Sequence, residues 1–335
     1  MAILRKSILA LLPIMLSGCF TDFDPRIDAE PVLCINSLIT AGQPIEVSVT
    51  HTWLYTDESG RDDHSVKDAD VMIYANGKLT DNSFIPAEGD HIKISAYSPT
   101  YGEAEAEVMV PYAQEITRVD YIPNSVDVWM QQSKWDNQVY FNTDIGFGLD
   151  ITVDIPYSDR TDYYYITYEK FLNDDSSSKV RFYEGSLSCT DPVFLEHVSA
   201  FEEMMDFMPD SSNIFFSNRL FGHDTYPFHI EFSSCRYSMS TTFPAGIGFD
   251  SDLLDCGYEV TLWTISRSYY DWLLYSWNVN SGMLGGFIDV GLAEPIWGYS
   301  NVSTGAGVVA ARTPYTVTLN LKDFLRQNIE KNSSD

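Results

Sequence analysis

Ile151, Val153 and Ile155 alternate with Thr152 and Asp154, a turn at Asp159-Arg160 follows, and Tyr163-Tyr164-Tyr165-Ile166-Thr167-Tyr168 runs back in aromatic and β-branched residues. A period of two puts every second side chain on one face, so such a stretch can bury its apolar half only as a strand in a sheet. The same signal recurs along most of the chain and predicts a mainly β fold. Val32 to Ile39 leads through Ala41-Gly42-Gln43-Pro44 into Ile45 to Val49. Further strands are expected at Asp70 to Tyr74, closed by the Asn76-Gly77 turn, at His91 to Ala96, and at Ala104 to Val110, which stops at Pro111. Short strands at this spacing predict a small β-sandwich of immunoglobulin-like or fibronectin-like character over residues 30–112.

Residues 113–328 read as a larger antiparallel β domain with one or two short helices. It opens at Ile116 to Asp120, and its strongest stretch is Leu149 to Leu172. Asn173 to Lys179 forms a polar tip before Val180 to Tyr183. Phe228, Ile230 and Phe232 share one face, and Tyr258 to Thr264 makes another strand. Between Pro192 and Met208 the apolar residues fall near helical spacing, which fits a short helix or an irregular loop. A helix is expected over Arg267 to Asn278, with Ser266 as its N-cap and Tyr269, Trp272, Leu273 and Trp277 at helical intervals. Alternation returns at Tyr315, Val317, Leu319 and Leu321 before a polar end.

The first residues carry a different message. Arg5 and Lys6 precede a short apolar run, Ile8 to Leu16, and Leu16-Ser17-Gly18-Cys19 closes it. A charged start, a short apolar centre and small residues before the cleavage point make a secretory signal, and the run is too short to span a bilayer. Its ending resembles the lipobox of bacterial lipoproteins, which implies that residues 1–18 are a lipoprotein signal and that Cys19 becomes the lipid attachment site. Two or more acyl chains, each buried methylene worth about 0.8 kcal/mol, would make that tether durable. Residues 19–29 are polar, acidic and without period, as expected of a lipidated tether. Asp22 and Asp24 resemble the acidic residues that follow the lipidated cysteine in surface-exported Bacteroidota lipoproteins. The implied place is the outer membrane, on the cell surface, with the periplasmic face as the alternative.

Charge narrows the partners. The chain carries 20 Lys and Arg against 48 Asp and Glu, a formal net charge of −28, with no basic run, so it lacks what a phosphate backbone needs and no nucleic-acid partner is expected. Membrane association is expected from the anchor alone. Beyond Cys19 stand Cys34, Cys189, Cys235 and Cys256 without a CxxC spacing. Cys235 with Cys256 is the favoured disulfide, with pairings to Cys34 or Cys189 and buried free thiols as alternatives. The histidines at 51, 64, 91, 197, 223 and 229 are scattered, with no H-E-x-x-H, and no G-x-S-x-G elbow is present. No catalytic residue, metal or cofactor is therefore expected. Trp129 and Trp135, set in the polar stretch Trp129-Met130-Gln131-Gln132-Ser133-Lys134-Trp135, are the least core-like tryptophans and candidates for a partner surface.

Three stretches together resemble the Bacteroidota outer-membrane lipoproteins of domain of unknown function 4249. They are the lipobox followed by Val32 to Thr40, the segment Phe215 to Gly222 leading into an aromatic strand, and Pro295 to Val309 with its Ser300-Asn301-Val302 step and its Gly305 and Gly307. Ser303 and Thr304 stand where the family more usually has glycine. The resemblance implies an all-β lipoprotein that is a non-enzymatic accessory or substrate-capture partner of a TonB-dependent outer-membrane transporter, with a nutrient ligand. It supplies no catalytic residues. A structural or assembly lipoprotein of the envelope is the alternative reading, and a surface glycan hydrolase using dispersed carboxylates is a third. Independently of the family, Gly305 and Gly307 point to a tight bend or a close approach between backbones.

Overall fold

The computed structural model describes residues 30–53, 64–135, 138–173, 179–197, 214–243, 255–280 and 298–333. The leader, Cys19 and its tether, residues 198–208 of the stretch with helical spacing, and Pro295 to Trp297 lie outside the described residues. The chain is mainly β, as the alternation predicts. Its first strands are β1 (Leu33–Thr40), β2 (Ser48–His51), β3 (Asp70–Ala75), β4 (Lys78–Thr80), β5 (His91–Ser98) and β6 (Gly102–Met109). Then come β7 (Arg118–Trp135), β8 (Gln138–Ile155), β9 (Tyr163–Asn173), β10 (Lys179–Tyr183), β11 (Ser186–Ser188), β12 (Ile214–Ser217) and β13 (Tyr226–Phe243). The chain continues with β14 (Asp255–Ile265), helix α1 (Arg267–Asn280), β15 (Val309–Asn320) and helix α2 (Lys322–Ser333).

Among the described residues three sheets result, in the orders β4-β3-β5-β6, β10-β13-β8-β7 with β11 on β13, and β12-β9-β14-β15-β1-β2. The Asn76-Gly77 turn between β3 and β4 takes positive φ at both residues, 51° and 77°, as a tight hairpin of right-handed strands requires. Two apolar cores lie between the sheets. In the first, Leu33, Ile35 and Ile39 of β1 meet Ile92 and Ile94 of β5 and Ala104 and Ala106 of β6. Val302, Val309 and Ala311, from nearly three hundred residues downstream, complete it. In the second and larger core, β8 and β13 face β9 and β14, with Phe232 stacked on Tyr258 at 4.7 Å and edge-on to Tyr168 at 4.8 Å.

The six-stranded sheet joins these cores. β1 pairs antiparallel with β2 on one edge and parallel with β15 on the other, Ser37 opposite Val309 and Thr40 opposite Arg312. Gly307 explains how the incoming chain gets so close: its φ is +114°, and a Cβ there would run into the Ile35 carbonyl. A Cβ on Gly305 would meet the Leu33 carbonyl and Ala104. Both glycines therefore serve the close approach anticipated from their spacing.

One element was not assigned in advance and one departs from the favoured expectation. Beyond Asp120, β7 runs on through the polar stretch to Trp135 and pairs with β8 along nearly its whole length. The favoured Cys235–Cys256 disulfide is not formed; Cys34, Cys189, Cys235 and Cys256 are all free thiols, the stated alternative. Cys235 on β13 meets Tyr258 of β14 rather than Cys256, its Sγ 3.4 Å from the Tyr258 hydroxyl.

Candidate functional site

Helix α1 begins where Ser266 caps it, its Oγ accepting the Tyr269 N–H at 3.3 Å and also the Ala311 N–H of β15 at 3.0 Å. Ser268 Oγ donates to the Val309 carbonyl at 3.0 Å and the Ser266 N–H to the Ala311 carbonyl at 2.8 Å, so the helix start is fixed to the sheet at three points. Tyr270, Leu273 and Trp277 turn inward, where Phe215 meets Tyr270 and Trp277 edge-on. Tyr269 and Trp272, one step round the helix, stack at 5.9 Å and face out. By helical spacing alone Tyr269 and Trp272 fall into one apolar stripe with Leu273 and Trp277. Their i, i+3 spacing, offset by one position from 270, 273 and 277, is the signal that separates the two faces.

Tyr269 and Trp272 wall a groove of about 560 Å³ between α1 and the β1–β2 edge of the six-stranded sheet. Leu38, Val47, Val308 and Ala310 give it an apolar floor, and Asn36, Glu46 and Ser48 give it a polar rim. Asn36 is held in place by its Oδ1, which accepts the Val308 N–H at 2.9 Å, and the buried Ser37 beneath donates its Oγ to the Glu46 carbonyl at 2.7 Å. Arg312, stacked over Trp263 at 4.0 Å and donating to Thr40 Oγ1 at 3.1 Å, stiffens the sheet at the same junction. An aromatic wall, an apolar floor and a few fixed polar groups suit the holding of a small amphipathic molecule.

Other chemistry-bearing residues are dispersed. Cys189 and Cys256 are buried, and burial pushes both thiols up to about 12, which leaves them unreactive. Asp191, itself buried, accepts from the Tyr226 hydroxyl at 2.7 Å and from the N–H groups of Val193 and His229 at 3.0 Å, a structural role. His51 stacks on Tyr101 and meets His64 edge-on at 5.1 Å, while His64 stacks on Trp53. Among the described residues, no three His, Cys, Asp or Glu side chains converge to hold a metal ion. Trp129 and Trp135 both lie on β7 with exposures of 51% and 79%, on the same face of the strand and away from the groove.

A family model described as a domain of unknown function, DUF4249, matches residues 21–317. No curated protein and no solved structure matches the chain.

Proposed function

The chain belongs to the DUF4249 family, and from that membership together with the leader and cysteine of residues 1–19 we propose that it is a bacterial lipoprotein held at the outer membrane through Cys19. In this reading it is of the Bacteroidota type, is displayed at the cell surface, and serves as a non-enzymatic partner that captures a nutrient for a TonB-dependent transporter. The groove between α1 and β1–β2 carries the proposal. Its lining stacks and hydrogen-bonds, through Tyr269, Trp272, Asn36 and Ser48, and its one carboxylate, Glu46, is solvent-exposed. That is equipment for holding a molecule. A chain of charge −28 tethered by lipid at one end meets chiefly what is in the same membrane, which favours a membrane-embedded partner.

Affinity purification of the full chain from detergent-solubilised outer membranes tests the proposal, with Cys19→Ala as the comparison. Wild-type chain is expected to bring down a TonB-dependent transporter, and the variant is expected to lose palmitate labelling and leave the membrane fraction. Recovery of the anchored chain without any such transporter overturns the partnership.

A further inference from the structure

The outer face of the five-stranded sheet is interrupted at one level on both sides of its central strand. β7 slips register against β8 between Asn124 and Asp127, and β13 slips against β8 between Phe232 and Cys235. Within these bulges Ser125 and Ser234 take left-handed backbone, φ 50° and 62°, a conformation that costs a residue other than glycine on the order of 1 kcal/mol. Between the bulges β8 presents Gly146 and Gly148 to the outer face. The Asn124 side chain lies over Gly148, nothing stands over Gly146, and a notch of about 430 Å³ opens there, edged by Asn124, Asp127, Glu231, Ser234 and Arg236. Paired bulges flanking a bare strand re-aim side chains, which is their common use beside binding sites.

An aromatic strip continues from the notch on the same face. Register places Trp129 opposite Asp144 and Trp135 opposite Gln138, with Tyr183 opposite Arg236 at the far edge. The reverse face is covered beside Trp129, where Thr143, Ile145, Tyr237 and Met239 are all buried, so Trp129 looks outward, and Trp135, 79% exposed, falls on the same face of the strand. Trp129 and Trp135 are six residues apart on one strand, about 20 Å at the usual rise.

We propose that this face binds a neutral oligosaccharide chain, with hydroxyls in the notch and two ring faces, several sugar units apart, laid on Trp129 and Trp135. The proposal rests on the reading of the chain as a capture protein and gives it a ligand class. Exposed indole planes accept the apolar face of a pyranose, while side-chain amides and carboxylates pair with its hydroxyls. Gln131 and Ser133 stand between the two tryptophans on the same face and Asn142 stands beside Gln131, so the aromatics do not merge into the continuous apolar core that a protein hot spot requires. Charge selects a neutral ligand. The Arg236 guanidinium is occupied by Asp144, its Nη2 and Nε 2.8 and 3.0 Å from Oδ1, and a chain of −28 repels a polyanion.

Binding of maltohexaose, cellohexaose, xylohexaose, mannohexaose and laminarihexaose to the full chain in detergent, followed by calorimetry and tryptophan fluorescence, tests the proposal. At least one hexasaccharide is expected to bind. Trp129→Ala and Trp135→Ala are each expected to weaken it about tenfold, whereas Trp53→Ala leaves it unchanged. Asp127→Ala and Glu231→Ala should weaken it as well, and unchanged thermal unfolding confirms that each variant folds. The proposal is overturned if none of the five binds, if the tryptophan variants bind as wild type does, or if wild type self-associates through a contact that Trp135→Ala abolishes, since the face then belongs to a second copy. Transporter recovery is read separately: its loss with sugar binding intact sinks the partnership alone, and the reverse sinks this site alone.

Discussion

The side-chain amide of Asn301 closes on the backbone of Val309 from both directions, Nδ2 donating to the Val309 carbonyl at 2.8 Å and Oδ1 accepting the Val309 N–H at 2.9 Å. Val309 is fully buried where β15 begins, so its N–H has no water to turn to, while its carbonyl also keeps the Ser268 hydroxyl at 3.0 Å. Asn301→Ala is expected to lower stability by about 2 kcal/mol, with Asn301→Asp also destabilising because it keeps only the acceptor. Urea unfolding midpoints check both.

Gly307 tolerates no side chain. Replacement by alanine combines a left-handed backbone with a clash against the Ile35 carbonyl, and a loss of about 3 kcal/mol or more is expected. The damage should be local at first: hydrogen exchange should show β1, β5 and β6 losing protection while β8 and β13 keep theirs.

Tyr164 offers the opposite case. Its ring is buried against Phe216 and Phe221, and its hydroxyl is buried without a hydrogen-bond partner among the described residues. Removing that oxygen relieves a desolvated polar group and leaves the packing, so Tyr164→Phe is expected to be neutral or to stabilise by about 1 kcal/mol. A lower melting temperature would count against this account.

Alkaline pH should unfold the chain through its buried thiols. Cys189 and Cys256 stand at about 12 in the folded chain against 9.0 for an ordinary thiol, and burial is the main cause in both. Below pH 9 each is neutral folded or unfolded, and its contribution to stability is fully present. Between pH 9 and 12 only the unfolded chain releases the proton, so stability falls by about 1.4 kcal/mol per pH unit for each thiol. Burial also raises Tyr164 and Tyr258, which extends the decline above pH 10. Unfolding midpoints from pH 8.5 upward measure the slope, and Cys256→Ala should make it shallower.

Strands were legible wherever one face is apolar and the other polar. Ile151, Val153 and Ile155 alternate because β8 is covered on one side only, and Arg267 to Asn278 reads as a helix because Ser266 caps it and Tyr269, Trp272, Leu273 and Trp277 fall at helical intervals, although it is Tyr270 that joins Leu273 and Trp277 on the buried side. The distal half of β7 was opaque for a physical reason. Its outer face carries Trp129, Gln131, Ser133 and Trp135 in the open, so no period of two in hydrophobicity marks it. Trp129 and Trp135 could still be singled out, as large aromatics with polar neighbours. The groove could not, because it joins β1, β2 and the approach to β15 with a helix face, and which sheet edges meet is a property of pairing over long separations. The cysteine pairing failed on the same ground: which residue of β14 would face Cys235 depends on the stacking of two sheets.

The parallel pairing of β1 with β15 has a consequence for the order of folding. Until the segment from Val309 to Arg312 lies beside β1, Leu33 and Ile35 have no complete core to enter. The partners Thr40 and Arg312 stand 272 residues apart, and contacts this distant in sequence slow folding. β1, β5 and β6 thus keep their apolar faces open until the far segment docks, and the smaller core closes only together with the six-stranded sheet.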